Sequence, residues 1–246
     1  CDYNKNMNFG EFLAWIWWLL LFMISLFNVT YCWINFGQLC RKSNKVTSAL
    51  TKLSFIFVHV CAYRAIFPRQ YSMRTCFFNH WLNCPLLGRF MAMIAELCIT
   101  KQVSLVLQII TIDIKKLCCL MNKKYPILDV IYYLSNYMVP LICVAQCCCW
   151  IGVSTKNEIW NMYEEIIWAI ESTFTAVAYI ILYFILSGYR TVWNQKQQKI
   201  EKLINFIIKC IIFGVCYSTF LIVIDIPMYH YRHQTNNIEY DNFLTG

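Results

Sequence analysis

Residues 86–98 read LLGRFMAMIAELC, an apolar run that carries Arg89 and Glu96. In a water-soluble domain such a run is a core helix of ordinary length, and two charges inside it are an error of patterning. In a bilayer it is the start of a spanning helix, which needs about 20 largely apolar residues. The run continues to residue 112, so length favours the bilayer. Positions 89, 92, 93 and 96 then fall on one helical face. Gly88 and Ala95 beside that face are small residues that let a neighbouring helix approach. The two charges therefore point into a bundle. At two turns apart they are too far for a direct pair in an ideal helix, and each is expected to find its partner elsewhere.

The rest of the chain agrees with a membrane reading. Of its 246 residues 59% are hydrophobic, 17% aromatic and 14% charged. Soluble domains have roughly 25% charged and about 45–50% apolar residues, so both departures run the same way. Six stretches qualify as spans: 11–35, 49–67, 86–112, 127–153, 160–187 and 203–226. None alternates as a strand does. The expected fold is all-α, a polytopic membrane bundle of about six transmembrane helices forming one domain over 1–246. Pro227 is expected to end the last span. The opening FLAWIWWLLLFM lacks a small-residue cleavage site and reads as a span, not a signal peptide.

Basic residues gather at alternate connections: Arg41, Lys42, Lys45 and Lys52, then Lys115, Lys116, Lys123 and Lys124, then Arg190, Lys196, Lys199 and Lys202. An even-numbered bundle with its positive loops on one side produces this pattern. Arg69 and Arg74, on the opposite side, are the exception. The net charge of +8 is thus mostly a topology signal. No basic–aromatic motif of a nucleic-acid module accompanies it, and no nucleic acid is expected as partner. The pattern reads the same in a plasma membrane and in the mitochondrial inner membrane. Tryptophans and tyrosines at run ends, Trp15, Trp17, Trp18, Trp81, Trp160, Trp193 and Tyr229, form interfacial belts. The connection 67–89 mixes Arg69, Arg74 and His80 with aromatics and suits an interfacial or re-entrant segment.

Fifteen cysteines lie mostly inside apolar runs, as in AQCCCW and KKLCCLM, where a thiol packs as a small hydrophobe. Cys76 and Cys84, which share one connection, are the pair to test for other chemistry. No paired C-x-x-C motifs indicate zinc. Neither a G-x-S-x-G elbow nor an H-E-x-x-H pattern occurs, so no catalytic residue is assigned and an enzyme is disfavoured.

The remaining chemistry sits in charges within the apolar runs, nearly all in their outward halves. These are Arg64, Arg89, Glu96, Glu164, Glu171 and Asp225, with Arg69 in the adjoining connection. Glu164, Trp168 and Glu171 share a face. Either these charges pair to hold the helices in register, or they line an outward polar cavity for a lipid headgroup, small anion or cofactor. Arginine suits phosphate or carboxylate through its planar fork. A metal is a weaker reading, with His59, Glu96 and Glu164 of the right ligand type but without the Glu-x-x-His repeats of four-helix carboxylate sites. No cofactor is identified beyond a structural phospholipid.

Two functions follow. One is a non-catalytic subunit of a larger, energy-transducing type of membrane complex, whose partners are membrane lipids and other subunits. The other is a stand-alone receptor, transporter or membrane-embedded enzyme that works through the outward cavity.

Overall fold

A computed structural model describes residues 9–41, 45–67, 82, 84–155, 157–188 and 197–235. The elements are α1 (Phe9–Arg41), α2 (Lys45–Ile66), α3 (Pro85–Leu120), α4 (Pro126–Thr155), α5 (Glu158–Ser187) and α6 (Gln197–Phe220). A π turn, Leu221–Asp225, then leads into α7 (Ile226–Thr235). No strand occurs among the described residues, and the protein is an all-α helical bundle. Five stretches are long and apolar enough to cross a membrane: Trp15–Gly37, Lys45–Ile66, Pro126–Thr155, Glu158–Ser187 and Ile200–Tyr231. The longest helix, α3, is not one of them; Arg89, Glu96, Lys101, Asp113, Lys115 and Lys116 are spread along its 36 residues.

The described residues up to Gln102 form one compact unit, and those from Val103 onward a second. In the first, α1 packs on α2. The Trp18 indole N–H donates to the carbonyl of Ile66 at 3.2 Å, occupying one of the acceptors that a helix C-terminus leaves open. An aromatic group of Trp33, Phe36, Phe55 and His59 joins the other ends of the two helices. Ser54 on α2 donates to the Gln102 side chain at 2.8 Å.

In the second unit α5 is the central helix, packed against α4, α6, the π turn and α7. Leu107, Ile114, Leu128, Ile142, Leu182, Leu186 and Ile207 are fully buried. Cys118 at 1% and Cys149 at 0% exposure fill gaps as apolar residues do. Gly214 lets α6 approach α5 closely, since a Cβ there would stand 3.2 Å from the Ala176 Cβ.

The turns follow local chemistry. Asn122 adopts a left-handed conformation (φ 55°). Lys123 N–H donates to the Cys118 carbonyl and Asn122 N–H to that of Cys119, which is the Schellman closure of α3. Proline opens α3 and α4 at their first positions, where a missing N–H costs nothing. Asn157 caps α5 by accepting from Ile159 N–H at 3.1 Å.

Proline 227 does not end the last helix, contrary to expectation. The chain widens into the π turn, with the Ile226 N–H reaching back five residues to the Leu221 carbonyl. The wider turn relieves the clash of the Pro227 ring with the preceding turn, and the helix runs on to Thr235.

Candidate functional site: buried polar side chains of two helical units

The charged residues named from sequence divide between the two units. Arg64, Arg89 and Glu96 belong to the first, whereas Glu164, Glu171 and Asp225 belong to the second. Arg69 lies outside the described residues, as do Cys76 and most of the 67–89 connection.

In the first unit the structure brings Arg89 and Glu96 together. Arg89 Nη1 stands 3.9 Å from Glu96 Oε1, with both side chains largely buried. The expectation that they are too far apart is corrected. A straight helix separates their Cα atoms by about 10.5 Å, but the long side chains lean toward each other and close the gap. The pair shares its face with Ala92 and Ala95, buried at 2% and 3% exposure, as the small-residue reading requires. Arg64 is half-buried in the last turn of α2, where a cation complements the carbonyl end of the helix. The hydroxyl of the preceding residue, Tyr63, donates to the Leu82 carbonyl.

His59 sits between Phe55 and Trp33. The Phe55 carbonyl, 2.7 Å from Nδ1, accepts from that nitrogen. The tautomer is thereby set, and Nε2 carries a lone pair that is buried without a partner. Among the described residues no group of three or more His, Cys, Asp and Glu side chains comes together.

The second unit holds a denser polar layer in the α4–α5 hairpin. Gln146, Glu158, Asn161 and Glu164 are all buried, at 1–4% exposure. The Gln146 amide donates to Glu164 Oε1 at 3.4 Å. Asn161 Nδ2 donates to Glu158 Oε2 at 2.7 Å. Asn161 Oδ1 is buried without a hydrogen-bond partner. Gly152 makes room for it, since a Cβ at that position would meet Oδ1 at 2.5 Å. Asn157 N–H closes the hairpin onto the Gly152 carbonyl at 3.1 Å.

Asn161 and Gly152 escape a reading by sequence, whereas Glu158 stands with Glu164 and Glu171 among the charges in the first turns of the fifth run. Only the isolated Gly152 in an apolar run hints at close helix approach. Farther along α5, Glu171 is 5% exposed. Its Oε2 is buried without a hydrogen-bond partner. Asp225 is half-buried in the π turn, which packs on α5.

Beyond the buried groups, Lys115 and Asp129 form an ion pair across the α3–α4 turn. The hydrogen bond that the Lys115 ammonium donates to the Asp129 carboxylate holds its pKa above the ordinary range. Chemically, the buried layer offers carboxylate and amide oxygens. Comparison of the chain with protein-family models, with curated proteins and with solved structures finds no match.

Proposed function

We propose that the protein is a non-catalytic subunit of a larger membrane complex, with its buried polar side chains serving structure and contact with a lipid headgroup or partner. The observation that supports this reading is the bareness of α1. Only 6% of its apolar stretch is buried, against 44% in α5. Trp17, Phe27 and Trp33 are each more than 60% exposed. Lipid tails satisfy an apolar face, but they give no reason for large aromatics along the whole length of a helix. Aromatic side chains are favoured at the centres of protein interfaces. A helix so little covered within its own chain therefore suits a neighbour from another.

The polar layer fits the same role. Carboxylates and amides held by helix-to-helix hydrogen bonds specify which helices meet and in what register.

The experiment is gentle extraction from the native membrane in a mild detergent, then sizing and identification of whatever travels with the protein. The expected result is co-migration with a stable large assembly, lost or weakened when Trp17 and Phe27 are changed together to alanine. Migration as a monomer or small homo-oligomer overturns the reading in favour of a stand-alone membrane protein.

A further inference from the structure

Glu171 lies near the middle of α5, as deep as a residue of a 30-residue spanning helix can be. It is 5% exposed, and its buried Oε2 accepts from no group. An ionised carboxylate left alone in a low-dielectric interior is among the costliest placements a protein can make. Such a charge calls for a counter-charge, and no described side chain of the second unit is bonded to Oε2.

Within the second unit, the described helices bring no cation to this level. Neither α4 nor α5 contains a lysine, arginine or histidine. The register of α6 on α5 follows from Thr173 hydrogen-bonded to Ser218 at 2.6 Å and from Gly214 against Ala176. By that register the nearest α6 cation, Lys209, falls about ten residues from Glu171 along α5, roughly 15 Å. His230, the first basic residue of α7, falls a similar distance the other way. Asp225, in the π turn, lies level with Glu165, so no second acid shares the Glu171 level. The ionisable groups nearest in register are the half-buried Tyr217 phenol on α6 and, on α4, the exposed Tyr137 and Cys143.

Hydroxyls of Ser172 and Thr175 lie within a turn of Glu171 along α5, the latter donating to the Glu171 backbone carbonyl at 2.9 Å. The Thr173–Ser218 pair is level with it on the α6 side of the helix. The π turn begins just above it, and Pro227, which has no N–H, leaves one carbonyl of that turn without its helical donor. Interrupted helices with freed carbonyls at mid-membrane are places where cations are bound.

We propose that the Glu171 carboxyl is an intramembrane binding site for a single positive charge, a proton or a monovalent metal ion. One carboxylate and neutral oxygens balance one charge. A divalent ion would need more acid than this level of the bundle holds.

The test uses the full chain in its native membrane. Dicyclohexylcarbodiimide, a membrane-soluble reagent, adds to carboxyls that carry a proton, and the adduct is located by peptide mass spectrometry. In choline buffer free of alkali cations, Glu171 is expected to be labelled. Slowing of the labelling at least several-fold by sodium, lithium or potassium chloride, against choline chloride, identifies a metal ion as the occupant. Indifference to all three salts, with labelling that falls as pH is raised, identifies a proton. Absence of adduct at Glu171 in the folded protein under all these conditions overturns the proposal, because it means a fixed cation from lipid or a partner already pairs the group. Glu171→Gln supplies an independent check. The neutral isostere is expected to keep the melting temperature and assembly of the parent. A clear fall in melting temperature would mean that Glu171 neutralises a fixed cation, and would equally overturn the site.

Discussion

The α1–α2 pair and the α4–α5 hairpin are both built from two long apolar helices joined by a short connection, yet one is bare and the other is buried. In α1 only Ser25 is buried among the side chains described. In α5 the buried side begins with Glu158, Asn161 and Glu164, passes Glu171 and Ser172, and ends with Tyr179, Leu182 and Leu186. The difference lies in pattern more than in hydropathy. Helix α1 is apolar all round, with bulky aromatics on every face, so no face is marked for a neighbour. Helix α5 confines its polar and small residues to one stripe, and that stripe determines which side meets other helices. In a bilayer, where lipid is as apolar as leucine, small and polar residues select a partner and bulk hydrophobicity does not.

The sharpest way to break this comparison is truncation on each side. Leu182→Ala, at a fully buried position, is expected to cost about 2–5 kcal/mol through the cavity it leaves. Phe27→Ala, at 69% exposure, is expected to change the stability of the isolated chain by no more than about 0.5 kcal/mol. Denaturant unfolding of both variants in detergent compares them directly. Equal losses would show that α1 is packed within the chain after all.

A smaller effect is expected at Gly152→Ala. The added methyl must displace Asn161, which is itself held by Glu158. Overpacking of this kind costs about 1–3 kcal/mol, readable as a lowered melting temperature. A neutral outcome would mean that the hairpin can spread without penalty.

Breaking the Arg89–Glu96 contact by Arg89→Gln is expected to cost about 1 kcal/mol, since the pair is long at 3.9 Å and partly open to solvent. A loss several times larger would show that the pair behaves as a buried one.

The smallest effect is electrostatic. The Lys115–Asp129 pair raises the lysine's affinity for its proton in the folded state. Its contribution is therefore fully present below the unfolded lysine value of about 10.4 and is lost as pH rises through the higher folded value. Asp129→Asn should remove a slight stability difference between neutral and strongly alkaline pH and leave acid stability alone. Unfolding measured on both sides of pH 10 would show it.

The helices themselves were legible because a span is a one-dimensional property. Twenty apolar residues in succession mean the same thing wherever the chain goes, and all six expected stretches fall on helices, although the third, in α3, is not among the five long and apolar enough to cross a membrane. The ends were less legible. Helix α3 runs to Leu120, past the apolar limit at 112, because Asp113, Lys115 and Lys116 are tolerable helix residues once they reach water. Pro227 read as a stop because proline normally excludes the preceding helical turn; a π turn avoids that, and nothing local announces it. Among the candidate site residues, Glu164 and Glu171 were identified by their isolation in an apolar run. The partners Gln146 and Gly152 are meaningful only once α4 is folded back on α5.

By itself, the sequence determined that this is an all-helical protein whose long apolar helices suit a bilayer, since chain hydropathy and backbone hydrogen bonding leave a lipid-embedded segment no other choice. Tertiary structure alone decided that Arg89 meets Glu96, that Asn161 rests over Gly152 beside Glu158, and that Glu171 is left without a partner. Side-chain reach, helix register and the room left by a missing Cβ are properties of pairs of helices, and no single stretch of sequence contains them.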